Sequence, residues 1–328
     1  MAPQTLELHA GDTIARVLVS QGFNCYSLRT KVATEPSSPH VAEAAEAVEA
    51  APSRSLLWAP ETHGEGGCHP ACGGVPLLAP FPGRMPGGRL AWHGKEYHLP
   101  TDGARSDGRG NAIHGFVFDR PWRLRGHTED SAEGEFQLSV DAPELMPCWP
   151  ADFRIAACYR VSPGRLRGEV EVLNCGTQSM PLGFGLHPYF ALSAGEQTEI
   201  RLPVSRRWEL LDLIPTGNST TWSATSMRMN EAVVEAQPGS PEGLVLDDVF
   251  GGLTPPSALS YVAKIGDIQL TFGNSFRELV VYTPGDRQSI CVEPLSCVPG
   301  GQSLGDSAGW AELQPGEHKS YWFEISAA

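Results

Sequence analysis

Lysine is scarce: the sequence holds four lysines against twenty arginines, and acidic residues outnumber basic ones, 38 to 24, for a net charge of −14. A surface of that sign repels phosphates. Nucleic acid and an anionic membrane face are therefore excluded as partners, because affinity for either rests on clustered cations. No apolar stretch reaches the roughly 20 residues of a membrane helix. Residues 1–22 do not pair a basic start with an apolar segment, so no export signal is read and a cytoplasmic location is expected. Three catalytic fingerprints are missing as well: the Gly-x-Ser-x-Gly elbow, the Walker loop and the dinucleotide-binding glycine turn. There is no His-x-His pattern of the kind a cupin-like metal enzyme would carry.

Long helical periodicity is missing too, and what replaces it is alternation. Phe153–Tyr159, Arg165–Val172 and Ile268–Phe272 have period two, and so does Glu135–Val140. Glu278–Tyr282, Ser289–Glu293 and His318–Ile325 continue the series. Residues 5–30 are strand-like around a Gly22 turn. With 28 prolines and 36 glycines, the chain reads as many short strands joined by turns such as Ser162-Pro163-Gly164. These features predict an all-β fold: a β-sandwich with few short helices, one domain over residues 1–328. An Ala/Glu/Pro/Ser-rich stretch at 33–52 is expected as a surface insert, with a short acidic helix over 41–50.

The eight cysteines are expected as reduced thiols. His63, Cys68, His69 and Cys72 form a local group of metal-ligand type. A structural zinc site usually draws on a second ligand pair elsewhere, and none stands out, so the segment is expected to be a Gly/Pro-rich loop with no metal.

Three segments have compositions that packing alone explains poorly. Asn111-Ala112-Ile113-His114-Gly115-Phe116 sets a histidine beside a glycine that permits close approach. Leu182–Phe190 embeds His187 among apolar and aromatic residues, and Ser289-Ile290-Cys291-Val292-Glu293-Pro294 places a carboxylate inside an apolar strand. Such a carboxylate is costly to bury unless it is paired or its pKa rises. Each residue alone has a packing explanation; together they suggest an acid–base site.

The segment Gly73-Gly74-Val75-Pro76-Leu77-Leu78-Ala79-Pro80-Phe81-Pro82-Gly83-Arg84 resembles the Gly-x-Pro…Pro-Phe-x-x-Arg stretch of the aldose 1-epimerase (galactose mutarotase-like) superfamily. Asn111–Phe116, followed by Trp122, is similar to that family's Asn-x-x-His-Gly motif, and Phe184–Phe190 to its His-Pro-Tyr-Phe motif. Leu246–Phe250 resembles the Asp-x-x-Phe segment, and Val292-Glu293-Pro294 the catalytic-glutamate strand. All five stand in the family's order. The resemblance implies a supersandwich fold and a cofactor-independent isomerase acting on a small sugar, as a monomer or weak dimer. It implies Glu293 as general base, His187 as general acid and His114 as a supporting donor, with Arg84, Asp247 and Asn111 on sugar hydroxyls. Two departures bear on substrate: Gly83 stands where galactose mutarotases carry Asn, and Pro188 replaces a small polar residue.

The chemistry suits those residue types. Exchanging anomers requires a proton off the C1 hydroxyl and one onto the ring oxygen, so one base and one acid suffice. Trp122, Tyr189 and Phe250 are candidates to stack on a sugar, with core packing as their other reading. A hexose-6-phosphate 1-epimerase would add a cluster of arginines, drawn from Arg105, Arg109, Arg120, Arg123, Arg125, Arg154, Arg206 and Arg207. A non-catalytic sugar-binding protein would need Arg84 and Asp247 but not the joint presence of Glu293 and both histidines. A glycosidase would want a second acid, Asp247 or Asp248.

Overall fold

Alternation decides the architecture. Phe153–Ser162 turns Phe153, Ile155, Ala157, Tyr159 and Val161 inward, and its neighbour Arg165–Asn174 buries Leu166, Val170 and Val172 on the same side. The two pair antiparallel from Phe153↔Asn174 to Ser162↔Arg165. The computed structural model describes residues 4–31, 53–193, 197–224, 226–229, 234–235, 246–254 and 259–327. The expected insert at 33–52 lies outside the described residues.

Among these residues, the 153–162 and 165–174 strands belong to a ten-stranded sheet that also takes in His318–Ala327, Ile268–Gly273 and Ser260–Ile265. An eight-stranded sheet runs in the order Ile214–Thr221, Arg206–Leu211, Asp247–Gly251, Glu278–Tyr282, Ser289–Leu295, Gly185–Leu186, Leu77–Leu78, with Tyr189–Ala191 also paired to Ser289–Leu295. A four-stranded sheet (Thr5–Ala10, Thr13–Leu18, Asn24–Lys31, Ser53–Ser55) completes the main layers. The apolar faces of the two large sheets share one cluster: Ile155, Leu166 and Phe323 from one, Leu279, Val281, Ile290 and Val292 from the other. This is the all-β sandwich expected, with Leu138–Asp141 as a single α-helical turn beside short 3₁₀ segments. No helix among the described residues is long and apolar enough to cross a membrane.

One strand expectation is corrected. Alternation over Glu135–Val140 suggested strand throughout, but the strand is Ser131–Gln137 and the chain turns helical at Leu138. Side chains compete for the backbone there. Asp141 Oδ2 accepts the Gln137 N–H (2.7 Å), and Asp152 accepts both the Ser139 N–H (2.9 Å) and its hydroxyl (2.7 Å).

What positions the site is the strand Ser289–Leu295, buried at every residue. Ile290 and Val292 face the sandwich core. Glu293 and Leu295 point the other way, into a cleft on the outer face of the sheet.

Candidate functional site

The cleft encloses ≈470 Å³. Its floor is set by strand register. Gly185 pairs with Leu295 and Tyr189 with Cys291, so His187, midway between, falls opposite Glu293. The His187 N–H donates to Pro76 O (3.0 Å), which fixes the backbone from the other side. Nε2 of His187 lies 3.5 Å from Oε1 of Glu293. Both residues are nearly sealed from solvent, at 6% and 4% exposure. Tyr189, two residues on and on the same face, stacks on the imidazole with centroids 4.9 Å apart and planes 8° from parallel.

His114 arrives from a loop. Its φ is 65°, a left-handed conformation that costs a non-glycine residue energy and persists only where its surroundings enforce it. Hydrogen bonds bracket it: His114 N–H donates to Gly83 O (3.0 Å) and Phe116 N–H to Ala79 O (2.7 Å). Gly115 has no room for a side chain, since a Cβ there would lie 2.0 Å from Ala79 O. The His114 ring thereby sits 5.2 Å from that of His187, nearly perpendicular at 80°. Gly83 is left-handed as well, with φ of 64°. That explains the Asn-for-Gly exchange noted above, because Asn is the residue that best tolerates this region after glycine. A Cβ at Gly83 would meet Pro299 at 2.5 Å, so the packing here favours glycine.

Arg84 reaches the cleft between two carboxylates, its Nη2 3.2 Å from Asp247 Oδ2 and its Nε 3.5 Å from Asp107 Oδ2. Asn111 departs from its expected role on sugar hydroxyls. It does not line the cleft; its Nδ2 donates to Asp107 Oδ2 (2.8 Å) and its Oδ1 accepts the Gly87 N–H (3.0 Å). Asn111 thus steadies Asp107, which steadies Arg84. Of the three aromatics weighed, Tyr189 lines the cleft while Trp122 and Phe250 lie in the core. His69 and Cys72 of the metal-ligand-type segment, and Arg109 of the arginines weighed for a phosphate, also line it, together with Asp107 and Tyr282, which are not named above as site residues. Tyr282 had a signal available, sitting on an alternating strand that turns Leu279 and Val281 into the core.

Burial governs the electrostatics. It pushes the Glu293 carboxyl well above the usual carboxylate range, the charge of Asp247 adds to the rise, and Arg84 opposes it. Burial also depresses His187 to about 4 and His114 well below its ordinary value, the latter helped by repulsion from His187. Both partners of the 3.5 Å contact are thereby driven toward their uncharged forms. Burial thus favours a carboxylic acid facing a neutral imidazole over a charged pair.

The His63–Cys72 segment divides its ligand types. His63 is buried, with Nε2 3.1 Å from Asn24 Nδ2 and Nδ1 3.0 Å from Cys68 Sγ, whereas His69 and Cys72 face the cleft. Among the described residues, the side chains placed to hold a metal are instead His187, Cys291 and Glu293, whose ligand atoms lie within 4.8 Å of one another.

The molecule resembles a galactose mutarotase-like protein from Clostridium acetobutylicum (TM-score 0.76, 17% identity, 99% of this chain and 95% of that one). It also resembles the GalM/aldose epimerase homologue from C. elegans (TM-score 0.76, 15% identity, 99% of each chain) and a galactose 1-epimerase from Lactobacillus acidophilus (TM-score 0.68, 13% identity, 99% and 98%). At these identities the likeness is one of fold. In sequence it is 23% identical over 259 residues to the uncharacterized protein YphB of Escherichia coli, covering 73% of this chain and 79% of that protein. The sequence model of the aldose 1-epimerase family matches residues 57–326. By that match, which takes in both large sheets and every cleft residue, the chain belongs to the aldose 1-epimerase family.

Proposed function

We propose that this protein is an aldose 1-epimerase (mutarotase) that interconverts the α and β anomers of an unphosphorylated sugar by opening and reclosing its ring. The observation that carries the reading is the buried Glu293–His187 contact at 3.5 Å, open to one cleft. With the proton on His187, the Glu293 carboxylate takes the C1 hydroxyl proton while the imidazolium gives its own to the ring oxygen. The C1–ring oxygen bond breaks and a free aldehyde forms. The pair is then a carboxylic acid facing a neutral imidazole, the form that burial favours, so the protein stabilises the state that accompanies the open chain. After rotation about C1–C2 the steps reverse: the carboxylic acid protonates the aldehyde oxygen and the imidazole recovers the ring-oxygen proton. No proton is gained or lost over the cycle. A positioned acid and base typically contribute about 10²–10⁴-fold each.

His114, perpendicular to His187 across the cleft, is the supporting donor at the developing charge. Arg84 and Asp247 hold hydroxyl groups, and Tyr189 and Tyr282 wall the apolar side. The absence of a negative charge on the substrate is inferred from the arginines. Arg105, Arg120, Arg123, Arg206 and Arg207 pair with Asp119, Glu144, Glu135, Glu278 and Asp248 away from the cleft. Of the eight weighed for a phosphate pocket, only Arg109 lines it.

Anomer exchange followed by polarimetry or NMR over a panel of free and phosphorylated aldoses tests the proposal. Acceleration above the buffer blank on a free aldose is expected. Binding without acceleration on every sugar would favour the non-catalytic reading, and acceleration confined to phosphorylated sugars would favour the phosphate-specific one.

A further inference from the structure

We propose that the cleft floor is also a site for a zinc-like divalent cation, held by His187, Cys291 and Glu293, and that its occupation switches off the proton-transferring pair. The inhibitory half of this statement rests on the function proposed above; the binding half does not.

The geometry comes from the strand. Cys291 and Glu293 are two residues apart on Ser289–Leu295, so their side chains leave the same face, and register brings His187 opposite. The three ligand atoms lie within 4.8 Å of one another. One edge, 3.5 Å from His187 Nε2 to Glu293 Oε1, is close to the ~3.4 Å that a tetrahedral zinc with bonds of about 2.0–2.1 Å would impose. A small side-chain adjustment brings in the thiol. Three protein ligands leave the fourth position facing the cleft, where water or a sugar hydroxyl would complete the shell.

Charge and ligand type agree. All three side chains are buried, and a dication bound by one thiolate and one carboxylate is neutral overall, which suits a site that disfavours net charge. Thiolate with imidazole selects zinc or cadmium over the oxygen-preferring magnesium and calcium. Binding releases the thiol and carboxyl protons to solvent, so it strengthens as pH rises. Nδ1 of His187 has no hydrogen-bond partner, whereas a dedicated metal histidine is normally oriented through its second nitrogen. The ion is therefore a reversible inhibitor and not a resident cofactor.

The test is a Cd²⁺ titration of the full chain, read by the ultraviolet charge-transfer band of a cadmium–thiolate bond, with anomer exchange measured in parallel. The band is expected to survive the Cys68→Ser/Cys72→Ser double change and to vanish in Cys291→Ser. Glu293→Gln should weaken Cd²⁺ by more than about tenfold, since loss of a ligand costs more than loss of an outer-shell contact. Exchange should fall as the band rises, recover on chelation, and become insensitive to Cd²⁺ in Cys291→Ser. A band that persists in Cys291→Ser, one that disappears with Cys68 and Cys72, or no band at all overturns the site. Should Cys291→Ser not fold, the double variant and Glu293→Gln decide it. A band assigned to Cys291 in a protein that exchanges no sugar would refute the mutarotase reading and leave the cation site standing.

Discussion

Burial of His187 has a measurable consequence for stability. An imidazole that titrates near 6.5 when unfolded and about 4 in the folded chain binds its proton more weakly in the native state. Its contribution is fully present above pH 6.5 and is lost as pH falls toward 4, because the unfolded chain takes up the proton first. At about 1.36 kcal/mol per unit, the whole shift is worth roughly 3 kcal/mol, of which about 2 kcal/mol disappears between pH 7 and pH 5. His187→Asn removes the group. The variant should be less stable at pH 7, from the lost stacking on Tyr189 and the space left behind, yet its stability should fall less steeply with acid. Urea unfolding of both proteins at pH 7, 6 and 5 gives the difference of slopes, in which the groups remote from His187 largely cancel, whereas its partner Glu293, 3.5 Å away, does not. His114 does not cancel fully either, since His187 contributes to its depression. Parallel curves would mean that His187 titrates normally in the folded protein and that the cleft floor is wet.

Three further outcomes are expected. Gly115→Ala should destabilise the fold by about 2 kcal/mol or more, from a left-handed φ of 79° and a Cβ against Ala79 O, and should lower kcat by displacing His114; thermal unfolding and exchange kinetics check both. Arg84→Lys and Asp247→Asn should act mainly through KM, since hydroxyl contacts are made in ground and transition states alike, and a kcat loss at unchanged KM would contradict that. Exhaustive chelation should leave activity intact or raise it, because ring opening by an acid and a base requires no metal; loss of activity, regained with zinc, would contradict this.

The sandwich was readable from particular strands. Phe153–Ser162 and Arg165–Asn174 alternate because one face is core and the other is not, and the pattern extends almost to their ends. It misled at Leu138, where Asp141 and Asp152 satisfy the backbone through side chains, a tertiary effect that alternation does not encode. Glu293 and His187 stood out because a carboxylate and an imidazole in apolar runs need a reason to be there. Their 3.5 Å contact depends on a pairing between residues more than a hundred positions apart, which composition does not specify. Cys291 is expected only as one of eight reduced thiols, although its spacing of two from Glu293 places it on the same face of the strand. Asn111 was assigned from its motif alone, and only the loop geometry reveals that Asp107 occupies its amide. Asp107 and Arg109 belong to a glycine-rich turn whose composition marks a loop and not which way it folds.

The central claim is that Glu293 moves a proton. Glu293→Gln keeps the side chain's shape and removes a charge that burial already disfavours, so the variant should fold and bind sugar with little change in affinity. Its rate of anomer exchange, corrected for the spontaneous reaction in buffer, should fall by about 10²-fold or more at saturating sugar. The double change with His187→Asn should cost far less than the product of the two single losses, as expected for groups that act as a unit. A Glu293→Gln protein that exchanges anomers of an accepted sugar as fast as its parent would contradict the account.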